Sequence, residues 1–452
     1  MNKQLQDLNI EPVMPTQKEA FWYWFKLGFI SFGGPAGQIA IMHHDLVENK
    51  RWISEERFLH ALNFCMVLPG PEAQQLATYI GWLMHKTTGG VVAGVLFILP
   101  SLFILILLSF IYVYFGQQPV IAGILYGIKP AVVAIVFFAA YRIGCKVLTN
   151  KAFWGIAITA FLAITFLKIP FPFVVILAAI TGFVVNHYVP SYFAAKALQK
   201  NQIQQSNRAV IDRHTPTYKH TIFNKKTAFK FLLIGLGIWL IAMIFLSALF
   251  GQNAALTQMG WFFTKAALLT FGGAYAVLPY VFQGAVVHYQ WLSAAQMMDG
   301  LALGETTPGP LIMVVAFVGF LGGWNQPFIG DGNMLVSAIL AALVVTLFTF
   351  LPSFIFIFVG APLIESTQKN VYFHAPLAAI TAAVVGVIVS LAVFFGQQIF
   401  WPNSYFPLLS SIDWFAFILA LTASVALIKY KLSTIKVITT FALLGLLHQF
   451  LI

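Results

Sequence analysis

Two glutamates stand beside proline–glycine–proline breaks in segments that are otherwise apolar. Glu72 directly follows Pro69-Gly70-Pro71, and two threonines separate Glu305 from Pro308-Gly309-Pro310. A carboxylate taken out of water must be paired or must give up its charge, so a buried glutamate can carry a proton. For Glu72 an equally simple role is to complement the dipole of a first helical turn. Both glutamates are therefore candidates for proton coupling.

The breaks themselves could bind an anion. Glycine ends a helix easily, and proline is tolerated in the first turn of the next one. A helix that restarts inside a membrane presents unpaired backbone N–H groups and a partial positive charge. A single break is more often a packing notch, but this chain has four, at residues 32–35, 69–72, 271–274 and 306–310. If they converge, they predict an oxyanion site near the middle of the bilayer.

Polar and cationic side chains near these breaks complete the candidate site. Amides and hydroxyls can donate to oxyanion oxygens, although each alone could equally join two helices. Lysines could neutralise an anion, or could extend to the membrane surface instead. The amide and hydroxyl candidates are Gln38, Asn63, Gln74, Gln75, Thr306 and Thr307, and the lysines are Lys26, Lys129 and Lys265.

The composition indicates a membrane protein. Of 452 residues, 60% are hydrophobic and only 9% are charged, whereas soluble domains have about 25% charged residues. Residues 231–250 are twenty consecutive uncharged residues, which is enough to cross a bilayer. The net charge of +11 resides in short loops between apolar segments, which is typical of cytoplasmic loops and argues against nucleic-acid binding. Two isolated cysteines, Cys65 and Cys145, predict neither a disulfide framework nor a metal site.

The chain contains an internal repeat. Phe-Gly-Gly begins at Phe32 and again at Phe271, and the same offset of 239 residues superimposes several further residues without a gap. Farther along, Leu99-Pro100-Ser101 pairs with Leu351-Pro352-Ser353, and we also pair Pro130 with Pro376. The ungapped pairs are Lys26 with Lys265, Trp52 with Trp291, Ser54 with Ser293, and Pro69-Gly70-Pro71 with Pro308-Gly309-Pro310.

The apolar segments predict an all-α polytopic membrane protein with about 13 helical segments. Each repeat holds about six segments, some broken or re-entrant, and one unpaired helix between the repeats would invert the second relative to the first. The predicted regions are a polar tail (1–16), a first repeat (17–195), a basic cytoplasmic linker (196–228), the unpaired helix (229–251) and a second repeat (256–452).

Charged loops agree with this topology at most positions. With the linker inside, Lys86, Lys146 and Lys369 also fall inside. Residues 43–57 fit poorly, because Lys50 and Arg57 would lie outside. That stretch could instead be part of a re-entrant hairpin, and whether the Phe-Gly-Gly and Pro-Gly-Pro segments cross the membrane or re-enter stays open here.

The paired motifs resemble the chromate ion transporter family, in its long-chain form with two domains. The resemblance rests on residues 31–82 and 270–320 and extends over both halves. It implies a multi-pass protein of the bacterial inner membrane that exports chromate in exchange for protons and confers chromate resistance. Sulfate, a tetrahedral dianion of the same charge, is the expected competitor.

The family's motif residues can be located one by one in this sequence. Two departures concern the second copy, which lacks a proline after Gly273 and a glutamate after Pro310. Some members have histidine where Gln38 stands, so a proton-coupling role for that histidine cannot be transferred. The matching residues are Gly33, Gly34, Pro35, Pro69, Gly70, Pro71 and Glu72, then Gly272, Gly273, Pro308, Gly309 and Pro310.

Other functions stay open. A sulfate or other oxyanion transporter or exchanger would need the same groups. A membrane-embedded enzyme could use Glu72 and Glu305 as acid and base, but the sequence offers no nucleophile, metal cluster or cofactor loop to serve it. We therefore expect a transporter without a cofactor, in contact with lipid and possible as a homodimer. The selectivity between chromate and sulfate and the direction of transport are left undetermined.

Overall fold

The computed structural model describes residues 14–32, 34–188, 209–212, 220–271, 273–330, 332–366, 374–401 and 411–451. Within these residues the protein is built of helices, and the one β-bridge joins Ile53 to Ile211. Gly33, Gly272, the tail up to residue 13 and most of the predicted linker lie outside the described residues. The predicted all-α class is confirmed.

Seven helices form the first half, one helix links the halves, and eight form the second half of the described chain. The first half contains α1 (Gln17–Ile30), α2 (Gly34–His43), α3 (Glu55–Cys65), α4 (Glu72–Phe115), α5 (Pro119–Val147), α6 (Lys151–Thr165) and α7 (Phe171–Tyr188). The linking helix is α8 (Lys225–Phe250). The second half contains α9 (Ala255–Leu268), α10 (Ala274–Phe282), α11 (Ala294–Thr306), α12 (Val314–Asn325), α13 (Met334–Ser366), α14 (His374–Phe400), α15 (Trp414–Ile428) and α16 (Thr434–Leu451).

The long helix α4 is folded back on itself. His85 and Lys86 leave the helical conformation, and Lys86 has a φ of 58°. A Cβ placed on Gly81 would lie 2.5 Å from the Gly89 carbonyl oxygen, a contact impossible for residues eight apart in a straight helix. Residues 72–84 and 87–115 are thus the two arms of a hairpin. In the second half, α12 and α13 pack on each other in the corresponding order.

The two broken segments of the first half return to the end of the molecule where they start. His85 Nε2 donates to the Pro15 carbonyl oxygen at 2.9 Å, which brings the end of the first arm of α4 to the start of α1. The Ser54 N–H donates to the Ile211 carbonyl at 2.9 Å, so the chain between α2 and α3 also meets the linker. The chain around Ser54 therefore lies beside the linker, as a re-entrant hairpin would require. We call this end of the molecule the linker end.

The broken segments of the second half meet at a different place. Asn325 Nδ2 donates to the Trp291 carbonyl oxygen at 2.9 Å, which joins the end of α12 to the chain between α10 and α11. Phe250, the last residue of α8, contacts Phe328 with ring centroids 5.1 Å apart. We call this the far end. Helix α8, which is 26 residues long, runs from the linker end to the far end.

The backbone of the repeat recurs in detail. A π-helix at His44–Asn49 matches one at Gln283–His288 at the offset of 239 residues. Positive φ angles recur at the same offset, 52° at Arg51 and 55° at Gln290. The proposed pairing of Pro130 with Pro376 is not supported, because Pro130 lies in the middle of α5 and Pro376 in the first turn of α14.

Helices of each half pack against helices of the other half. Helix α5 packs on α15 and α16 of the second half, while α14 packs on α6 and α7 of the first. Glycines allow these approaches, since a Cβ on Gly127 would lie 2.1 Å from the Phe441 carbonyl oxygen. Six helices of the described chain are long and apolar enough to cross a membrane: Glu72–Phe115, Pro119–Val147, Lys225–Phe250, Met334–Leu363, Ala375–Phe400 and Thr434–Leu451.

Candidate functional site

The breaks of the two halves are joined to each other by hydrogen bonds. The Gly70 N–H donates to the Thr270 carbonyl oxygen at 2.7 Å, and the Gly309 N–H donates to the Ser31 carbonyl oxygen at 2.8 Å. Ser31 and Thr270 occupy equivalent positions of the repeat, as do Gly70 and Gly309. Each Pro-Gly-Pro break is therefore closed by the break that precedes α2 or α10 in the opposite half. We call these contacts the two crossed junctions.

Glycine is required at both Pro-Gly-Pro breaks. Gly70 has a φ of 130° and Gly309 a φ of 97°, which side chains with a Cβ rarely adopt. Space is also lacking, because a Cβ on Gly70 would lie 2.4 Å from Ser353 Oγ and one on Gly309 would lie 2.7 Å from Ser101 Cβ. The breaks thus depend on glycine for both conformation and packing.

Three buried serine hydroxyls accompany the crossed junctions. Ser31 supplies a carbonyl to one junction, and Ser101 and Ser353 contact the two glycines. None of these three hydroxyl oxygens has a hydrogen-bond partner among the described residues. Unpaired buried polar groups are rare because they cost about 1–3 kcal/mol each. Ser31 and Ser101 lie at the Gly309 junction and Ser353 at the Gly70 junction, and free hydroxyl donors of this kind are suited to the oxygens of an anion.

Gln38 crosses from the first half to the second. Its Nε2 donates to the Gly309 carbonyl oxygen at 2.5 Å and to the Ser31 carbonyl oxygen at 3.3 Å. The side chain is buried, and its Oε1 has no partner among the described residues. Gln38 therefore lies at the predicted site, where it braces the junction and leaves an acceptor free.

The two candidate glutamates face separate cations on α5. The Glu305 carboxylate accepts a hydrogen bond from the Tyr275 hydroxyl, and Arg142 is close enough to interact with it electrostatically. Lys146, one turn farther along α5, interacts in the same way with Glu72. Both glutamates are half-buried. Each of these glutamates thus lies close to a Pro-Gly-Pro break and within electrostatic range of one cation of α5.

Several predicted donors are already engaged. Thr306 Oγ1 donates to the Leu303 carbonyl oxygen at 2.8 Å and Thr307 Oγ1 to the Gly304 carbonyl oxygen at 3.0 Å, so these hydroxyls have no proton left for an anion. Gln75 Nε2 donates to the Pro69 carbonyl oxygen at 2.8 Å, within its own break. The two threonines are better described as end caps of α11.

Other predicted residues are spread more widely. Gln74 is buried, and its Nε2 donates to Thr78 Oγ1 at 3.0 Å while its Oε1 has no partner among the described residues. Asn63 is exposed, as are Lys26 and Lys265. Lys265 lines a cavity of about 590 Å³ between α6, α9, α10 and α14. The structure does not bring these exposed residues to the crossed junctions. The remaining predicted residues, Gly34, Pro35, Pro69, Pro71, Gly273, Pro308 and Pro310, lie in or next to the breaks.

Lys129 is not a free cation. Its Nζ lies 3.4 Å from Asp299 Oδ1, and the Tyr112 hydroxyl donates to Asp299 Oδ2 at 2.9 Å. Asp299 was not predicted from the sequence, although a carboxylate within an apolar segment is itself a signal. Lys129 therefore forms an ion pair in this structure, and its role in anion binding stays a prediction.

Other residues near the breaks were not predicted from the sequence. Ser101 and Ser353 could have been found from the duplicated Leu-Pro-Ser, which was used only to align the repeats. Lys146 was assigned to a cytoplasmic loop, and it lies with Arg142 in the last turns of α5. Their spacing of four residues places them on one face of that helix.

Known proteins are similar to this chain over most of its length. Residues 18–183 and 257–446 match the family model described as chromate transporter. The chromate transport protein of Cupriavidus metallidurans is 28% identical over 433 residues, which cover 95% of this chain and 93% of that protein. The chromate transport protein of Pseudomonas aeruginosa is 30% identical over 387 residues, covering 84% of this chain and 82% of that protein.

One further relative corresponds to a single half. The uncharacterized transporter YwrA of Bacillus subtilis is 30% identical over 173 residues, which are 97% of that protein but 37% of this chain. No solved structure matches the chain. The family model covers both repeats, and the apolar helices indicate a multi-pass membrane protein, which implies a transporter rather than an enzyme. This chain belongs to the chromate transporter family.

Proposed function

We propose that this protein is a secondary active transporter that exports chromate from the cytoplasm in exchange for protons and so confers chromate resistance. The observation that carries the proposal is the pair of crossed junctions, with three unpaired serine hydroxyls at them and a glutamate close to each Pro-Gly-Pro break. The names of the relatives support chromate as the substrate. Bacterial relatives support the inner membrane as its location.

The repeats are proposed to be inverted relative to each other. Trp52 and Trp291 are equivalent in the repeat, yet Trp52 lies at the linker end and Trp291 at the far end. Helix α8 joins these two ends. Transporters built from inverted repeats bind their substrate where the repeats meet, near the middle of the bilayer. The crossed junctions join the two repeats, which supports them as the substrate site.

Glu72 and Glu305 are the groups that we propose to carry the protons. Lys146 interacts electrostatically with Glu72, and Arg142 with Glu305. Exchange requires that protons and the anion occupy the site in turn. We therefore propose that the two carboxyls bind protons after chromate has left the site and release them before the next chromate binds.

The test is uptake of labelled chromate into everted membrane vesicles, with and without a proton gradient. We expect saturable uptake that accelerates with the gradient and is inhibited by excess sulfate. An equal rate of chromate uptake with and without the gradient would disprove coupling to protons. If labelled sulfate were taken up and chromate were not, the protein would be a sulfate transporter, since both dianions have the same charge and shape.

A further inference from the structure

Two clusters of buried charge lie outside the site described above, one at each end of the molecule. At the linker end, the Glu365 carboxylate on α13 accepts hydrogen bonds from Arg57 on α3 and from the Tyr79 hydroxyl on the first arm of α4. Arg57 Nε also donates to the Asp212 carbonyl oxygen of the linker at 3.4 Å. The Glu365 side chain is 6% exposed. We call Arg57, Tyr79 and Glu365 the linker-end cluster.

The second cluster has the same kinds of groups at the far end. Asp299 on α11 accepts from Tyr112 near the end of α4 and pairs with Lys129 on α5, at 2.9 Å and 3.4 Å. Its side chain is 4% exposed. The Tyr112 ring contacts Phe317 of α12, with centroids 5.4 Å apart. We call Tyr112, Lys129 and Asp299 the far-end cluster.

Both clusters join the same two elements of the repeat. The linker-end cluster ties α3 to α13, and the far-end cluster ties α11, the equivalent of α3, to the second arm of α4, the equivalent of α13. Each therefore fastens a re-entrant hairpin of one half to a long helix of the other half. The crossed junctions lie between them along these helices, since Ser101 is in the middle of α4 and Ser353 in the middle of α13.

The charged residues of the two clusters do not occupy equivalent positions of the repeat. Val113 stands where the repeat would place the equivalent of Glu365, and His60 where it would place that of Asp299. Each cluster thus contains a carboxylate, a tyrosine and a cation and joins equivalent elements of the repeat, although the residues themselves are not aligned by the repeat. Buried ion pairs contribute little net stability, but they favour one defined arrangement over others. Breaking such a pair allows the helices that it joins to separate.

We propose that the two clusters are the gates of the transport cycle, the linker-end cluster closing access from the cytoplasm and the far-end cluster closing access from the other side. This inference rests on the proposed function, in which the site must open to one side at a time. Both clusters are formed in this structure, so both gates are closed. Opening toward one side requires breaking the cluster of that side while the other holds.

The chain supplies its own reporter for a test. Cys65 is buried at the end of α3, beside the first Pro-Gly-Pro break, and Cys145 is exposed and can be replaced by serine. In the Cys145→Ser protein, a membrane-impermeant maleimide can be applied to vesicles of either orientation. We expect Glu365→Gln to accelerate labelling of Cys65 roughly tenfold from the linker side only, and Asp299→Asn to do so from the far side only.

Milder variants guard against misfolding. Tyr79→Phe and Tyr112→Phe each remove one hydrogen bond to the carboxylate and should act in the same directions with smaller increases. Glu48→Gln is the control. Glu48 is an exposed carboxylate in the π-helix His44–Asn49, and one of its oxygens lies 2.8 Å from His44 Nδ1. It should leave the labelling of Cys65 unchanged from both sides.

The outcomes separate this inference from the proposed function, because labelling needs no substrate. Side-specific labelling supports the gates even if the vesicles take up no chromate, a result that would overturn only the transport proposal. If folded Glu365→Gln and Asp299→Asn proteins label at the parent rate, or both accelerate from the same side, the clusters are packing contacts and the inference is wrong.

Discussion

Gly70 in the first half and Gly309 in the second both have a positive φ, 130° and 97°, and each donates its N–H to a carbonyl of the opposite half. Their surroundings differ. Glu72 follows the first break, where the second has Leu311, and Gln38 braces a junction from the first half, where the second has Val277. Both halves therefore keep the backbone break, while the polar side chains beside it differ between them. A backbone break is harder to replace than a side chain, because it depends on glycine and on exact packing.

The largest expected effect tests the shared part of this comparison. Gly70→Ala and Gly309→Ala should each lower the free energy of unfolding by about 2–5 kcal/mol, since both combine a strained φ with a steric clash. Thermal unfolding of the purified protein in detergent measures this. Gly155→Ala in α6 is the matched control, because a Cβ there meets nothing within 4 Å. Equal stability of Gly70→Ala and Gly155→Ala would show that the break tolerates a side chain.

The next effect tests the chemistry that differs between the halves. Glu72→Gln should abolish the acceleration of chromate uptake by a proton gradient, because glutamine cannot release a proton, and Glu305→Gln should do the same. Leu311→Met, at the position equivalent to Glu72, preserves volume and should leave uptake unchanged. Vesicle uptake with and without the gradient is the measurement. If Glu72→Gln responded normally to the gradient, Glu72 would be only a helix cap.

A smaller effect asks whether both junctions bind the anion. Ser101→Ala and Ser353→Ala should each raise the chromate concentration for half-maximal uptake about tenfold, since a hydrogen bond to a charged group contributes about 1.5–3 kcal/mol. Ser424→Ala is the control, because that hydroxyl donates to the Ala420 carbonyl oxygen of its own helix at 2.8 Å. An effect of one serine alone would mean that the anion binds asymmetrically.

The smallest effect concerns the lysines shared by the two halves. Lys26 and Lys265 are equivalent and exposed, away from the crossed junctions. Lys26→Gln and Lys265→Gln should change half-saturation by less than about twofold, as surface substitutions usually contribute within 0.5 kcal/mol. A much larger change for Lys265→Gln, measured by the same uptake assay, would instead identify the cavity that it lines as part of the anion pathway.

Much of the fold could be predicted because its causes are local. The all-α membrane class follows from composition, and the ends of α1, α3, α9 and α11 follow from glycine and proline in the next few residues. The repeat was visible because the same residues recur at a constant offset. The breaks predicted at residues 32–35 and 69–72 separate α1 from α2 and α3 from α4.

The candidate site was predicted only in outline. The breaks, Gln38 and Glu72 were identified, but Thr306 and Thr307 donate to their own helix, and Lys129 is paired with Asp299. A hydroxyl or an ammonium has several possible partners, and the sequence does not state which one lies nearest. The serines that lie free at the junctions looked like ordinary helix residues.

The sequence by itself determined that this chain is a duplicated, helical membrane protein whose backbone must break at four places. Only the tertiary structure decided that each break is closed by the other half, and that Arg57 meets Glu365 across 308 residues. The physical reason is the range of the interactions. Helix breaks and apolar segments depend on neighbours within a few residues, whereas hydrogen bonds between the halves exist only after the helices have packed.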